Sequence, residues 1–430
     1  MDAVSIITIV IGVIIVGMML VSMLCGWKIG TASCYWIVSI VGAIVLLLIN
    51  FSHISDILSV LVSDSAINPI KILIFFLSMT IMSLILDKLH FFKFLANKSA
   101  KLAKSSQWKL FFIFYAMVSV LTIFTSNDIV ILSFVPFICY FCKNHKINPT
   151  PYVFSTFVAA NTWSMIFIIG NPTNVYVGTF AKLGFVEYFV NMALPTIVCC
   201  LVSLLVLVVL FHKFLNKPIV DEEKEEVVIN KLLVVGNVII LSMCIVMLAI
   251  SSYIGLEMWY LALGFVVIQI LFNIITVCFG KWDKKYITLA IKSAPWEFAP
   301  FLISMFLVVC CLNANGVTKV IANLVFSNNS IFVYGIASFL CCNVINNIPM
   351  TTLFTSILAN TTYTSGSIFA SIIGSNLGAL LSPVGALAGI MFLNILREKD
   401  VDFSIKSFVK YGCIVSSISI VVSLGVLVLF

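Results

Sequence analysis

Four short polar stretches interrupt long apolar runs in this chain: TSND at 125–128, GNPTN at 170–174, NVINNIP at 343–349 and GSNLGALLSPVG at 374–385. Their residue types suit one kind of chemistry. Gly170, Pro172, Gly374, Gly378, Pro383 and Gly385 break helices, and a broken helix exposes N–H groups at one end of the gap and carbonyls at the other. Thr, Ser and Asn side chains add donors and acceptors. Such a gap can hold an anionic or polar solute on helix N-termini and a small cation on carbonyl oxygens. The candidate binding residues are Thr125, Ser126, Asn127 and Asp128, then Gly170, Asn171, Pro172, Thr173 and Asn174. In the second half they are Asn346, Asn347, Ser375, Asn376, Ser382 and Pro383. Asp128 is the one carboxylate within these breaks, and an ionisable group at membrane depth needs compensation. Plainer readings stand beside this one. The Gly/Pro/Asn loops also fit packing kinks, NVINNIP fits a turn outside the bilayer, and Asp128 fits a cap on a half-helix.

The elements that would position these breaks are membrane helices. The chain has 430 residues, 62% hydrophobic and 10% charged, with a mean hydropathy of +1.19. Only a bilayer hides so much apolar surface, so the expected class is an all-α polytopic membrane protein. The run from Val4 to Cys25 has no basic leader and no small-x-small cleavage site, and reads as a retained first span. Further runs cover 31–49 and 70–86, then 110–142 and 152–181 with their breaks, and 190–211. After HKFLNKPIVDEEKEEVVINK (212–231) the pattern restarts at 232–252, 258–279 and 296–315. It continues through the broken runs 330–361 and 367–396 to a last run at 408–430.

Each half therefore reads as three plain helices, a hairpin, a broken helix and one plain helix, about ten crossings plus two hairpins in all. The expected domains are a first repeat at 1–211, a charged cytoplasmic linker at 212–231 and a second repeat at 232–430. An odd number of crossings per half makes the repeats inverted, whether the hairpins re-enter or span. With the N-terminus and C-terminus outside and the linker inside, every basic residue except Lys71, Lys182 and Lys319 falls on the inner side. This address accounts for the net charge of +7 without nucleic acid. Inverted repeats with broken helices are the plan of carriers that alternate access to a midplane site.

Other groups have plainer roles. The thirteen cysteines lie in apolar runs, without zinc-site spacing, and Cys139–Cys142 and Cys341–Cys342 read as packing residues first. Asp87 and Lys88 read as a solvated helix end, and DEEKEE (221–226) as a solvated linker. The stretch 87–109, with His90, reads as a helix lying on the inner face. Glu297, after Trp296, suits a helix N-terminus. No HExxH, His/Cys cluster or intramembrane Ser/His set points to an enzyme, and no cofactor beyond a coupling H+ or Na+ is expected.

The segments FTSNDIVIL, ANTWSMIFIIGNPTNVYVG, NNIP and GSNLGALLSPVGALAG resemble signatures of the ion transporter superfamily, from about Ile70 to Tyr411. The likeness is nearest to its arsenite/antimonite permease (ArsB) branch, with the NhaD-type antiporters and divalent-anion:sodium symporters as relatives. The resemblance implies two inverted repeats with re-entrant hairpins, a homodimer, and site residues at the breaks named above. It also brings in Asn161 and Thr162 of ANTWS. Arsenite permeases carry acids where this chain has Asn161 and Asn376, which leaves Asp128 to carry any coupling charge at the breaks. The expected function is a cytoplasmic-membrane secondary transporter that exports arsenite or antimonite against protons, with an accessory ATPase as a further partner. The alternatives are a sodium- or proton-coupled carrier of di- or tricarboxylates or other anions, with Na+ near Asn127 and Asn174, and a sodium/proton antiporter. The solute is a small inorganic or organic anion or oxo-species in either case.

Overall fold

The computed structural model describes residues 3–25, 27–29, 32–63, 68–103, 106–216, 229–280, 285–325 and 330–429. The acidic run at 221–226 and residues 217–228 of the expected linker lie outside the described residues. The first half opens with α1 (Ala3–Cys25), a two-residue antiparallel ladder of β1 (Lys28–Ile29) and β2 (Ala32–Ser33), and α2 (Cys34–Ile49). Then come α3 (Ile54–Val62), α4 (Pro69–Lys88), α5 (Phe91–Ala103), α6 (Gln107–Phe124) and α7 (Asn127–Asn144). The half ends with α8 (Thr150–Trp163), a 3-10 turn (Ile168–Gly170), α9 (Pro172–Phe180) and α10 (Phe185–Leu215).

The second half repeats that order. It contains α11 (Lys231–Ile254), α12 (Met258–Gly280), α13 (Lys285–Ser293), α14 (Phe298–Ala314), α15 (Val317–Val325), α16 (Ile331–Ile345) and α17 (Asn347–Ala359). They are followed by α18 (Ser365–Gly378), a 3-10 turn (Pro383–Gly385), α19 (Leu387–Glu398) and α20 (Ile405–Val428). The correspondence extends to packing. α4 lies against α12 while its counterpart α14 lies against α2, α19 lies against α7 while α9 lies against α17, and α10 meets α20. At that last contact the hydroxyls of Ser203 and Ser419 are 2.8 Å apart. The molecule is thus an all-α polytopic membrane protein of two inverted repeats.

Among the described residues eight helices are long and apolar enough to cross a bilayer, or nine if the bent pair is counted. That pair is α2 with the segment Phe51–Val62, which turns through 91°. The short α3, like α13 and α15, has an apolar face and a polar face, a pattern too brief to stand out within long hydrophobic runs. Within the stretch 87–109, α5 starts after His90, whose φ of 61° turns the chain out of α4, and its Phe92 is buried. Asp87 and Lys88 form a partly exposed ion pair at 3.2 Å.

Local sequence explains the central elements. Asn68 Oδ1 accepts the amides of Ile70 at 2.8 Å and Lys71 at 3.4 Å, and Pro69 occupies the first turn, so α4 starts with its orphan donors partly satisfied. α4 is apolar around most of its circumference and is buried along most of its length, as is α14. By contrast α1, α10, α11, α12 and α20 each show exposed aliphatic residues, the surface presented to lipid. In the second half, α16 and α18 touch closely. A Cβ added at Gly374 would collide with Ser338 Oγ and with the Gly335 carbonyl.

Candidate functional site

The hairpin tips form where α6 gives way to α7 and α16 to α17. Ser126 caps α7, its hydroxyl accepting the Asp128 amide at 3.3 Å, and Asn346 caps α17 through its side-chain oxygen and the Ile348 amide at 3.4 Å. The two caps differ in backbone. Ser126 is extended (φ −96°, ψ 146°), whereas Asn346 has φ 69° and ψ 153°, a region that otherwise belongs to glycine. Asn346 is held there by its amide, which donates to the Val384 carbonyl at 2.9 Å.

The broken helices repeat in register. Asn171 precedes α9 with φ −150° and ψ 140°, and Ala386 precedes α19 with φ −149° and ψ 155°. The structural counterpart of GNPTN is therefore GALAG (385–389), not GSNLG. Ser375 and Asn376 sit in the last turn of α18, as Asn161 and Thr162 sit in the last turn of α8. This corrects the expectation that GSNLG is part of the unwound segment: the helix continues to Gly378, where the turn begins. Gly170 is required by close approach, since a Cβ there would strike the Ser164 carbonyl.

Side-chain amides then tie the halves together. Asn376 Nδ2 donates to Asn174 Oδ1 at 2.7 Å and to the Ile372 carbonyl at 2.9 Å, while its Oδ1 accepts from Asn171 Nδ2 at 2.9 Å. Asn174 Nδ2 donates in turn to the Ser164 carbonyl at 2.8 Å, and Asn171 Oδ1 accepts from both the amide and the hydroxyl of Thr173. Asn161 Oδ1 accepts from Asn127 Nδ2 at 3.1 Å, linking α8 to the first tip. The remaining predicted residues serve this framework. Thr125 and Thr162 bond back to the carbonyls of Leu121 and Val158, and Ser382 Oγ donates to Asn343 Oδ1 at 2.6 Å. Pro383 starts the second 3-10 turn.

A cavity of about 410 Å³ opens onto this framework. Of the predicted residues it is lined by Asn127, Asp128, Asn171, Pro172 and Asn347, so both tips and the first break meet in one space. Asn127 and Asn347 are repeat-equivalent, each following its helix cap, and the Oδ1 atom of each is buried without a partner among the described residues. Two buried oxygens of this kind, on residues that line a largely apolar cavity, suit a bound cation or a hydrogen-bond donor on a solute. The other predicted residues do not line this cavity, and the buried Ser375 hydroxyl has no partner among the described residues.

Sequence reasoning missed part of the lining. Tyr35 of α2, Thr80 of α4, Lys292 of α13 and Asn394 of α19 all reach the cavity, and Glu297 at the start of α14 lines it as well. Among the described residues Asp128 therefore shares the space with a second carboxylate and one lysine. Tyr35, Asp128 and Glu297 all line it. No spacing could show this, because the groups come from four helices brought together only by tertiary packing. The cysteine pairs stay apart from the cavity: Cys139 and Cys142 are in the core, and Cys342 bonds to the Phe339 carbonyl at 3.2 Å.

A family model described as the citrate transporter CitMHS matches residues 2–374. An arsenical pump membrane protein of Escherichia coli is 22% identical over 371 residues, covering 82% of this chain and 85% of that one. Its counterpart in E. coli strain K12 is 25% identical over 383 residues, with the same coverage. A 46 kDa membrane protein of Mycobacterium leprae is 21% identical over 366 residues, covering 81% and 84%. Among solved structures, the YdaH transporter of Alcanivorax borkumensis, described as having an unusual topology, superposes with a TM-score of 0.61. It covers 99% of this chain and 98% of its own at 11% identity.

Proposed function

The chain belongs to the CitMHS citrate transporter family, and from that premise we propose that this secondary transporter exports arsenite or antimonite in exchange for protons. The observation that supports arsenite over citrate is the charge of the cavity. Among the described residues its lining carries the Asp128 and Glu297 carboxylates and Lys292. Two carboxylates repel a polyanion in a space of this size, whereas a neutral trihydroxy arsenic species meets no such penalty and finds a few amides in a largely apolar wall. Asn127, Asn171 and Asn347 offer oxygens and N–H groups to its hydroxyls, and Asp128 carries the exchanged proton. The arsenical-pump names of several relatives agree with this reading.

A second reading is a sodium-coupled carrier of di- or tricarboxylates. The description of the matched family favours it, and the unpartnered oxygens of Asn127 and Asn347 would hold the sodium that offsets the anion. Orientation follows the lysine distribution in both readings, with the N-terminus outside and the segment between α10 and α11 inside. A homodimer is the assembly we propose, and export energised by an accessory ATPase remains compatible with either solute.

Uptake into everted membrane vesicles separates the two. Arsenite, citrate, succinate and sodium are supplied separately, with and without a proton gradient. Proton-driven arsenite accumulation supports the first reading; citrate or succinate uptake that needs sodium, with arsenite inert, replaces it with the second.

A further inference from the structure

Polar atoms buried in the wall of a cavity without a partner mark where a ligand can complete the bonding. Among the described residues, three such atoms belong to residues that line the cavity of about 410 Å³: Asn127 Oδ1, Asn347 Oδ1 and Thr80 Oγ1. Ser22, Trp296 and Asn171, also of the lining, are engaged. Ser22 Oγ donates to the Met19 carbonyl at 2.8 Å, Trp296 Nε1 donates to the Ile291 carbonyl at 2.7 Å, and both ends of the Asn171 amide are bonded. Asn127 and Asn347 sit at the hairpin tips. Thr80 belongs to α4, an element outside the tips and the breaks.

The Thr80 hydroxyl departs from the usual behaviour of a helix interior. Ser and Thr there commonly bond back to a carbonyl one turn earlier, as Ser83 of the same helix does to Met79 at 3.2 Å and Thr351 does to Asn347 at 2.7 Å. Thr80 is 3% exposed and makes no such bond among the described residues. Phe76 and Leu84, one turn to either side, line the cavity with it, so Thr80 is central to the face that α4 turns to this space. It is the twelfth of 20 residues, about 16 Å into a helix about 30 Å long, and so lies near the middle of the span. The second repeat has no equivalent. Counted back from Leu89 and Asn315, the residues that cap α4 and α14, Lys71 corresponds to Glu297 and Thr80 to Phe306. A hydroxyl in one central helix thus answers to a phenyl ring in the other, and Phe306 does not line the cavity.

The bonding capacity of these atoms defines a ligand class. Asn161 Nδ2 donates to the Phe157 carbonyl at 2.9 Å, so Asn161 presents its oxygen to Asn127, whose Nδ2 donates to it at 3.1 Å. That chain of bonds leaves the Asn127 oxygen over, and an amide oxygen only accepts, whereas a hydroxyl both donates and accepts. We infer that Thr80 is a solute-contacting residue of this cavity and that, with the oxygens of Asn127 and Asn347, it selects a small solute bearing hydroxyl groups. This rests on the reading of the cavity as the transport site, and goes beyond it in naming a contact from outside the tips and the chemical group it recognises.

Uptake by the full-length protein in everted vesicles tests the assignment. Thr80→Val keeps the side-chain shape and removes the hydroxyl; Thr80→Ser keeps the hydroxyl. Initial rates are measured against arsenite concentration under a fixed proton gradient, with membrane abundance read by immunoblot. Thr80→Val is expected to raise the half-saturating arsenite concentration about tenfold with maximal rate and abundance near wild type, as loss of one buried hydrogen bond requires. Thr80→Ser is expected to stay within about twofold of wild type. Thr80→Ala is the second hydroxyl-free variant, read in the same way where the valine form is poorly inserted. A half-saturating concentration unchanged without the hydroxyl, or raised equally in Thr80→Ser, overturns the inference. So does an effect confined to the proton or sodium dependence, which would make Thr80 an ion ligand. Wild-type vesicles that carry citrate and succinate but not arsenite would remove the proposed substrate and leave this assignment to be read on the two acids. Thr80→Val is then expected to weaken uptake of citrate, which bears a hydroxyl, about tenfold and to leave succinate, which has none, unchanged. Equal effects on both acids overturn it.

Discussion

Asn376 donates its side-chain amide to Asn174 at 2.7 Å, a bond between residues 202 positions apart that fastens one repeat to the break of the other. Both residues are fully buried. Asn376→Ala removes this bond and the one from Asn171, stranding two buried amides. Each stranded group costs about 1–3 kcal/mol, so a marked fall in the thermal midpoint of the detergent-solubilised protein is expected. Asn376→Asp is the informative companion. It can still accept from Asn171 but no longer donates to Asn174, and it adds charge close to the cavity. Retained folding with altered ion dependence of transport is the expected result, read by vesicle uptake at several pH values.

Asp128→Asn keeps the shape of the first tip and the hydroxyl of Ser126 against its amide. The protein should reach the membrane in normal amount and melt normally, with coupled transport lost. Transport that still responds fully to the proton gradient would show that Asp128 does not carry the exchanged ion.

Asn346 has a backbone conformation that costs about 1–3 kcal/mol for a residue with a Cβ. Asn346→Gly relieves that strain while losing the bond to Val384; Asn346→Ala loses the bond and keeps the strain. The glycine variant should therefore be the more stable by about 1 kcal/mol, measured by denaturation of the two side by side.

Gly374→Ala places a methyl group against Ser338 and the Gly335 carbonyl, so α16 and α18 must separate. A loss of about 1–3 kcal/mol is expected. Gly264→Ala, in α12 with nothing near the added carbon, is the control, and should be neutral or stabilising by up to about 1 kcal/mol. Thermal unfolding of the two variants distinguishes a packing requirement from a general intolerance of change in membrane helices.

The repeated order of elements and the two tips were legible because hydropathy and helix breakers are local signals. TSND and NNIP are polar islands in apolar runs, and each marks the start of a helix. The counterpart of GNPTN was not legible. GALAG has no polar side chain, and only the shared backbone angles of Asn171 and Ala386 show that the two segments correspond. GSNLG drew attention instead, being polar, although its asparagine belongs to a continuous helix. The charged half of the cavity was hidden for another reason. Tyr35, Lys292 and Glu297 are ordinary helix-end residues until tertiary packing brings them to the cavity that Asp128 also lines. Glu297 carried a hint in its position before an apolar helix, which predicts a favourable helix terminus but not a neighbour in another repeat.

The unequal breaks also bear on ancestry. A duplicated gene begins with two interchangeable halves, and the asparagine at the end of the helix before each break, Asn161 or Asn376, is still present in both. Its receptors are not. A chain assembled from two copies of the second half would set the Asn376 amide opposite Ala386 and Gly389, which carry no side-chain oxygen or nitrogen. Two copies of the first half would supply Asn171 and Asn174 on both sides, but Lys71 would stand where Glu297 now does. Neither half can be rebuilt from the other: what descended as a repeat has become a pair of unlike parts, inherited only together.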